Sequence, residues 1–470
     1  MLGSKNKKLI VNIFLMFLVY LAPKIFSFFL VPIYTSFLTP KEYGISDLIA
    51  TTASLIIPFI SLATPNAIMR FTIENKNDKR PFQIALKISS IGFLVLSLCL
   101  IGVYFVFNID KTFLIFLFLT IFLSILTDIN LSYTRGIEKM YAVTICGIGG
   151  TLSGLVFNIL FIVVFKWALV GFLLASISGY IFQIISLSIM NYNLHLYKGI
   201  FNDDKTLTKD ILSFSIPLIF SGISWWIVSS SDRYFVTFMC GAAMNGIYSI
   251  AYRIPLIVQT VDNVFGQAWI YSVYDSYKTD EGKKYIYKIN GLYIFIICLI
   301  GSILISFDIT LSKFLYVKDF FSAWNIVPFL VIAAVFSACG GLMSIYISIY
   351  KKTKSAMFIN ISASLLNVVL NYILIKILNN PVGAAIATSI TFFMTWLSYT
   401  ILGGRLSGIN TNFAKCLFTF FILILQIIII TIFQNEILAS FGILIIIIIN
   451  IKNIKILFEK LKNKLITVFF

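Results

Sequence analysis

Lys24 is the only charged residue between Leu9 and Leu38, in a run that reads YLAPKIFSFFLVPIY around it. A helix through this run carries the amine about 22 Å along its axis, at ~1.5 Å per residue. If the run crosses a bilayer, that depth is near the midplane, where a charged side chain costs roughly 2.5–3.5 kcal/mol on insertion scales. A cation placed there lines a wet cavity, pairs with an internal carboxylate, or snorkels to an interface. Two further cations sit inside apolar runs: Arg233, just before Gly241, and Arg253, just after Gly246. Helical rise puts both about 10–12 Å below one surface, on neighbouring helices. Asp232 is close enough to pair with Arg253, and Arg233 is an equal candidate for its partner. Arg70 ends the second run at the membrane edge. Asp128 and Asp262 lie toward the ends of theirs, each able to hold a proton or pair with a basic neighbour, and the pairing is the preferred reading.

Other chemistry is not visible. The six cysteines are scattered singly through apolar segments, with no CxxC or Cys/His spacing, and read as packing residues. The single histidine, His195, falls in a polar loop. There is no Walker-type loop, no DxD cluster and no Ser/His/Asp set. The chain is therefore read as a non-enzyme that uses no metal and no cofactor.

The elements that must position these charges are membrane helices. Hydrophobic residues make up 59% of 470 and charged residues 12%. A chain of this size cannot bury so much apolar surface against itself, so lipid is its main solvent. Apolar runs mark about fourteen spans, near 9–38, 45–69, 84–107, 113–131, 141–165, 167–190, 211–240, 246–273, 285–307, 323–350, 356–378, 382–402, 413–433 and 437–451. The first run is too long for a signal peptide and reads as the first span. With the N-terminal SKNKK segment placed in the cytoplasm, the outside turns hold only Lys41, Lys111, Lys166, Lys313, Lys318 and Lys376 of the 36 Lys and Arg. This asymmetry fits both termini in the cytoplasm and explains the +17 net charge without nucleic acid. The tail IKNIKILFEKLKNKLITVFF reads either as an amphipathic surface helix or as a solvated end.

The chain repeats itself. PKIFS at 23–27 is answered by PLIFS at 217–221, and PKEYGISDLI at 40–49 by AAMNGIYSIA at 242–251. FNILFIVVFKWALVGFLLA at 157–175 is answered by LNYILIKILNNPVGAAIAT at 370–388 with one insertion, pairing Asn158 with Asn371 and Gly171 with Gly383. The repeat unit is six helices. Six is even, so the copies are related by a pseudo-two-fold along the membrane normal. The expected fold is an all-α integral membrane protein: a lobe at 1–200, a lobe at 205–405, and an extra helix pair with a basic tail at 410–470. Two such lobes around a central cleft are the architecture of a transporter. Pro23, Pro32, Pro58 and Pro65 fall in the first two spans, Pro217 and Pro255 in the matching pair, where bends suit either a gate or static packing.

FLVPIYTSFLTPKEYGISDLI resembles the first-helix signature of polysaccharide flippases, a Leu-Thr-Pro-x-Glu-Tyr-Gly turn after helix one. SSSDRYFVTFMCGAAMNGIYSIAYRIP resembles that family's Asp-Arg-Tyr followed by Gly-Ile-Tyr-Ser-x-Ala-Tyr-Arg/Lys, and KKTKSAMFINISASLLNVVLN resembles its eleventh helix. The chain is identified on these stretches, over about 10–400, as similar to the Wzx-like O-antigen and capsule flippases, in the superfamily of the MATE exporters and the lipid II flippase. The resemblance implies alternating access in the bacterial cytoplasmic membrane. The implied cargo is an oligosaccharide repeat unit linked through pyrophosphate to undecaprenol, made for O-antigen, lipopolysaccharide, capsule or exopolysaccharide. Implied partners are membrane lipids and the glycosyltransferases and glycan polymerase of the same pathway. In this light Lys24, Arg253, Arg233 and Arg70 are expected to meet the pyrophosphate, while Asp232, Asp128 and Asp262 are coupling or ion-pair residues. Tyr248, Tyr252, Trp225 and Trp226 are candidate sugar surfaces. The alternatives are a MATE-like cation-coupled antiporter of small organic compounds and a membrane glycan polymerase or ligase.

Overall fold

The computed structural model describes residues 24, 26–75, 78–191, 204–408, 412–451 and 453. Pro23, His195, the N-terminal basic segment and the tail beyond 453 lie outside the described residues. The helices, in order, are α1 (Val31–Phe37), α2 (Pro40–Ile60), α3 (Thr64–Glu74), α4 (Arg80–Phe107), α5 (Lys111–Gly136), α6 (Met140–Asn158), α7 (Ala168–Met190), α8 (Lys205–Ser230) and α9 (Asp232–Cys240). They continue as α10 (Ala242–Ala251), α11 (Leu256–Ser276), α12 (Asp280–Ser306), α13 (Asp308–Leu315), α14 (Val327–Ile349), α15 (Thr353–Leu378), α16 (Val382–Ser407), α17 (Phe413–Ile428) and α18 (Glu436–Ile449). Among the described residues eleven helices are long and apolar enough to cross a membrane, and 26–37 and 436–449 are shorter apolar helices. The fold is all-α, as expected.

Three expected spans are broken rather than continuous, the 211–240 run among them, which divides into α8 and α9 at Ser231. The 45–69 run divides into α2 and α3, with Leu62 and Ala63 in the left-handed region at φ 47° and 52°. Thr64 Oγ1 donates to the Ser61 carbonyl at 2.8 Å, supplying that break with a local partner. The 246–273 run divides into α10 and α11 at residues 252–255. Pro255 stands there at the N-cap of α11, where its missing N–H costs the helix nothing. Of the other prolines, Pro58 and Pro217 lie inside helices, and Pro32 and Pro65 lie in first turns.

The Leu-Thr-Pro-x-Glu-Tyr-Gly turn is a capping box. Thr39 Oγ1 accepts from the Glu42 N–H at 3.3 Å, and the Thr39 N–H donates to Glu42 Oε2 at 2.8 Å. Pro40 follows at the first helical position, where its fixed φ is already helical. Tyr43 then turns inward with Tyr34, whose ring meets Phe172 edge-on at 4.8 Å.

The chain forms two compact units, 1–226 and 227–470. The division falls inside α8, whose first part packs within the first unit. Ile211 is buried with Ala67 and Ile84. Trp226 Nε1 donates to Ser54 Oγ at 3.0 Å, close to Pro58. Arg80 joins the ends of α4 and α8, reaching Asp204 at 2.7 Å and Asp78 at 2.7 Å. The larger core of this unit is an aliphatic seam from α2, α3, α4, α5 and α7, centred on Ile121, Ile125 and Ile129.

The repeated hairpins α6–α7 and α15–α16 share one close approach. A Cβ on Gly171 would come 3.0 Å from the Phe161 carbonyl oxygen, and one on Gly383 would come 2.6 Å from that of Leu374. Phe161 and Leu374 stand opposite each other in the repeat, so matched glycines meet matched carbonyls. The first copy carries one more residue between them, and its helix ends in a π segment, Ile159–Val164. A π turn takes one extra residue per turn, so the insertion is absorbed locally.

In the second unit, α17 and α18 are sewn to α12 by Gln426. Its amide Nε2, buried, donates to Ser302 Oγ and Ser306 Oγ at 2.8 Å each and to the Ala439 carbonyl at 2.9 Å. Gly442 leaves that side chain its space, since a Cβ there would sit 2.5 Å from Nε2.

Candidate functional site

α8 ends at Ser230, and α9 restarts with Asp232 and Arg233, so the Asp-Arg-Tyr motif opens a short helix. Asp232 is fully buried. A buried carboxylate needs donors on both oxygens. Oδ1 accepts from the Arg233 N–H at 2.9 Å and lies 3.6 Å from the Arg233 guanidinium. Oδ2 accepts from the phenols of Tyr248 at 2.5 Å and Tyr252 at 2.7 Å, both carried by the Gly-Ile-Tyr-Ser-x-Ala-Tyr stretch. The guanidinium also donates to the Ser229 carbonyl at 3.1 Å and lies 4.7 Å from the Tyr252 ring centre. The two halves of the motif thus make one cluster, in which Asp232 neutralises Arg233.

This answers two sequence expectations. The ion pair shown by Asp232 is with its neighbour Arg233, not with Arg253, because adjacent residues at a helix start share one face of the break. Tyr248 is not an open sugar surface: it is buried, and its hydroxyl is committed to Asp232. The Trp226 N–H is likewise committed within the first unit, and Trp225 is the exposed one.

Arg253 lies half-buried in the turn between α10 and α11, its N–H donating to the Ile250 carbonyl at 3.0 Å. Lys24 is helical and half-buried, and its carbonyl accepts from Ser27 Oγ at 2.9 Å. Arg70 is the open cation: its side chain is 57% exposed, 3.9 Å from Glu74 and 4.7 Å from the Phe214 ring centre. Asn66, Arg70 and Glu74 follow at four-residue steps, so α3 presents a polar stripe on an exposed face.

Asp128, on α5, lies within electrostatic range of Arg135 on the same helix and of Tyr180 on α7, whose phenol is bonded with Ser124. Asp262, on α11, accepts a hydrogen bond from the Tyr293 phenol of α12.

Sequence reasoning missed a polar ladder beside the Asp232 cluster. Ser231 Oγ reaches Asn367 Oδ1 at 3.4 Å, Asn371 Nδ2 donates to the same oxygen at 2.9 Å, and Asn367 Nδ2 reaches Thr391 Oγ1 at 3.4 Å. The signal was the Asn158/Asn371 match. Asn158 is also buried and also donates four residues back, to the Gly154 carbonyl at 2.7 Å.

The family model for polysaccharide biosynthesis proteins matches residues 9–271. A stretch of 206 residues, 42% of the chain, is 26% identical to an uncharacterized membrane protein of Buchnera aphidicola subsp. Baizongia pistaciae (strain Bp) and spans 58% of that relative. The fold resembles the lipid II flippase MurJ in an inward closed conformation, with a TM-score of 0.69 and 14% identity over 96% of this chain and 99% of that one. It also resembles an inward-facing multidrug resistance MATE family transporter of the MOP superfamily, with a TM-score of 0.61 and 14% identity over 83% and 94%. A multi-pass membrane protein with this fold, matched by the family model over more than half its length, the chain belongs to the polysaccharide biosynthesis protein family.

Proposed function

We propose that this protein is a flippase that carries undecaprenyl-pyrophosphate-linked oligosaccharide repeat units from the inner to the outer leaflet of the bacterial cytoplasmic membrane, by alternating access and without catalysing a reaction. The observation that carries this reading is the family match over 9–271, a segment that contains Lys24, Arg70, Arg233 and Arg253. The cargo's problem is its charged, polar head. Its lipid tail can stay in hydrocarbon while the anionic pyrophosphate needs cations at membrane depth.

In this reading the labour is divided among these cations. Arg233 is held by Asp232, the Ser229 carbonyl and the Tyr252 ring, so in this reading it organises the start of α9 rather than meeting cargo. Arg70, exposed at the end of α3, is the first contact for incoming pyrophosphate. Lys24 and Arg253 are the deeper contacts. In this role both termini face the cytoplasm, and the partners are membrane lipids and the enzymes that build and polymerise the repeat unit.

The test is complementation of a strain lacking this protein, scored by surface glycan and by lipid-linked repeat units retained in the membrane. Lys24→Ala and Arg70→Ala, at native expression, should each lower surface glycan at least tenfold while retained lipid-linked units rise. Normal display in both variants overturns the cation assignment. Normal display in the deletion strain itself, with loss of export of an organic cation instead, overturns the flippase reading in favour of antiport.

A further inference from the structure

Helix α13 opens with a carboxylate that has nowhere to put its charge. Asp308 is fully buried. Ser312 Oγ donates to its Oδ1 at 3.2 Å, while its Oδ2 has no hydrogen-bond partner among the described residues. Glu436, the first residue of α18, reaches the same helix end. Its Oε1 accepts from the Thr310 N–H at 2.6 Å and its Oε2 from Thr310 Oγ1 at 2.6 Å. Glu436 therefore caps α13 from another helix, with two donors and the positive end of the helix dipole to stabilise its negative charge.

Asp308 has the opposite surroundings: it is buried, meets one hydroxyl donor, and lies within electrostatic range of Glu436. On the elements packed around it, Lys313, Lys318 and Asp319 stand at exposed positions, and α12 offers the neutral Ser302 and Ser306. Two carboxylates this placed cannot both ionise without burying an unpaired charge next to a like one. We propose that Asp308 and Glu436 form a proton-binding clasp, in which the proton resides on Asp308 and its loss loosens the hold of α18 on α13. In the orientation set by the basic loops, this corner faces the outer side of the membrane, so the clasp responds to external pH.

The sign follows from linkage. Burial, and then the Glu436 charge, hold the Asp308 carboxyl well above the ordinary carboxylate range. The folded state therefore binds more protons than the unfolded one above that range, and local stability falls as pH rises. The experiment is hydrogen–deuterium exchange on the full-length protein in nanodiscs at about pH 6 and about pH 9, corrected for intrinsic exchange. Peptides covering 307–316 and 434–442 should lose about tenfold protection at the higher pH in the wild type. Asp308→Asn, which cannot titrate, should keep its protection at both. Asp308→Ser, neutral and smaller, gives the same reading if the asparagine variant does not fold. A wild type without pH response in these peptides, or a response that survives in either variant, overturns the clasp.

Discussion

Gly171 and Gly383 leave room for matched carbonyls in two hairpins whose ends are built differently. In the first, an extra residue is taken up by a π segment, and Lys166 and Ala168 turn the chain at φ 56° and 43°. In the second, α15 stays regular to its end, and Asn379 turns at φ 46°. The tight contact is kept, and the length difference is placed where a helix can store it. The buried Asp232 and the half-buried Asp128 differ more. Asp232 has an arginine and two phenols on its oxygens, whereas Asp128 has Arg135 and Tyr180 only within electrostatic range.

The sharpest break in this comparison is Asp232→Ala. It leaves the Arg233 guanidinium buried without its counter-charge and should lower stability by about 3–5 kcal/mol, whereas Asp128→Ala should cost about 1 kcal/mol. Thermal unfolding of the two purified variants in detergent measures this, and equal losses would refute the distinction. The glycine pair comes next. Gly383→Ala forces a methyl to 2.6 Å and should cost about 2–3 kcal/mol, against about 1 kcal/mol for Gly171→Ala at 3.0 Å. The same melting experiment decides it, and the reverse order would mean the contacts are not equivalent.

The smallest effect concerns the tie at Arg80 in the first unit. Its guanidinium, chiefly by direct hydrogen bonds, holds the Asp78 carboxyl below the ordinary 3.8. Asp204 is lowered first by the Leu207 N–H, then by Thr206, and further by Arg80. Both carboxylates are depressed, so their stabilisation is present above the ordinary value and lost as pH falls through the lowered ones. Melting curves from neutral pH into acid should fall less steeply for Arg80→Ala than for the wild type. Identical slopes would show that the tie contributes nothing.

Much of this was legible in the sequence because certain motifs are local physics. Thr39-Pro-Lys-Glu42 spells a capping box, and the two hairpin glycines sit where a six-helix repeat places them. Other features were not legible because lipid erases the usual contrast between a buried and an exposed helix face. Asn367 and Asn371 look like isolated polar residues in an apolar run until α9 and α16 bring Ser231 and Thr391 beside them. Tyr248 and Tyr252 could face a sugar or an acid on sequence alone, and only the restart of the helix at Asp232 turns both phenols to one carboxylate. The break at Leu62 and Ala63 has no glycine to announce it.

The amide of Gln426 sets a rule for exchange between relatives. Its donors are met by serines on α12 and a carbonyl on α18, and Gly442 keeps the space clear. A chimera that imports the last two helices from a cousin must therefore import Ser302 and Ser306 with them. A graft cut at residue 408 would bring a foreign seam to a host strip chosen for another, and would assemble poorly however well each piece inserts.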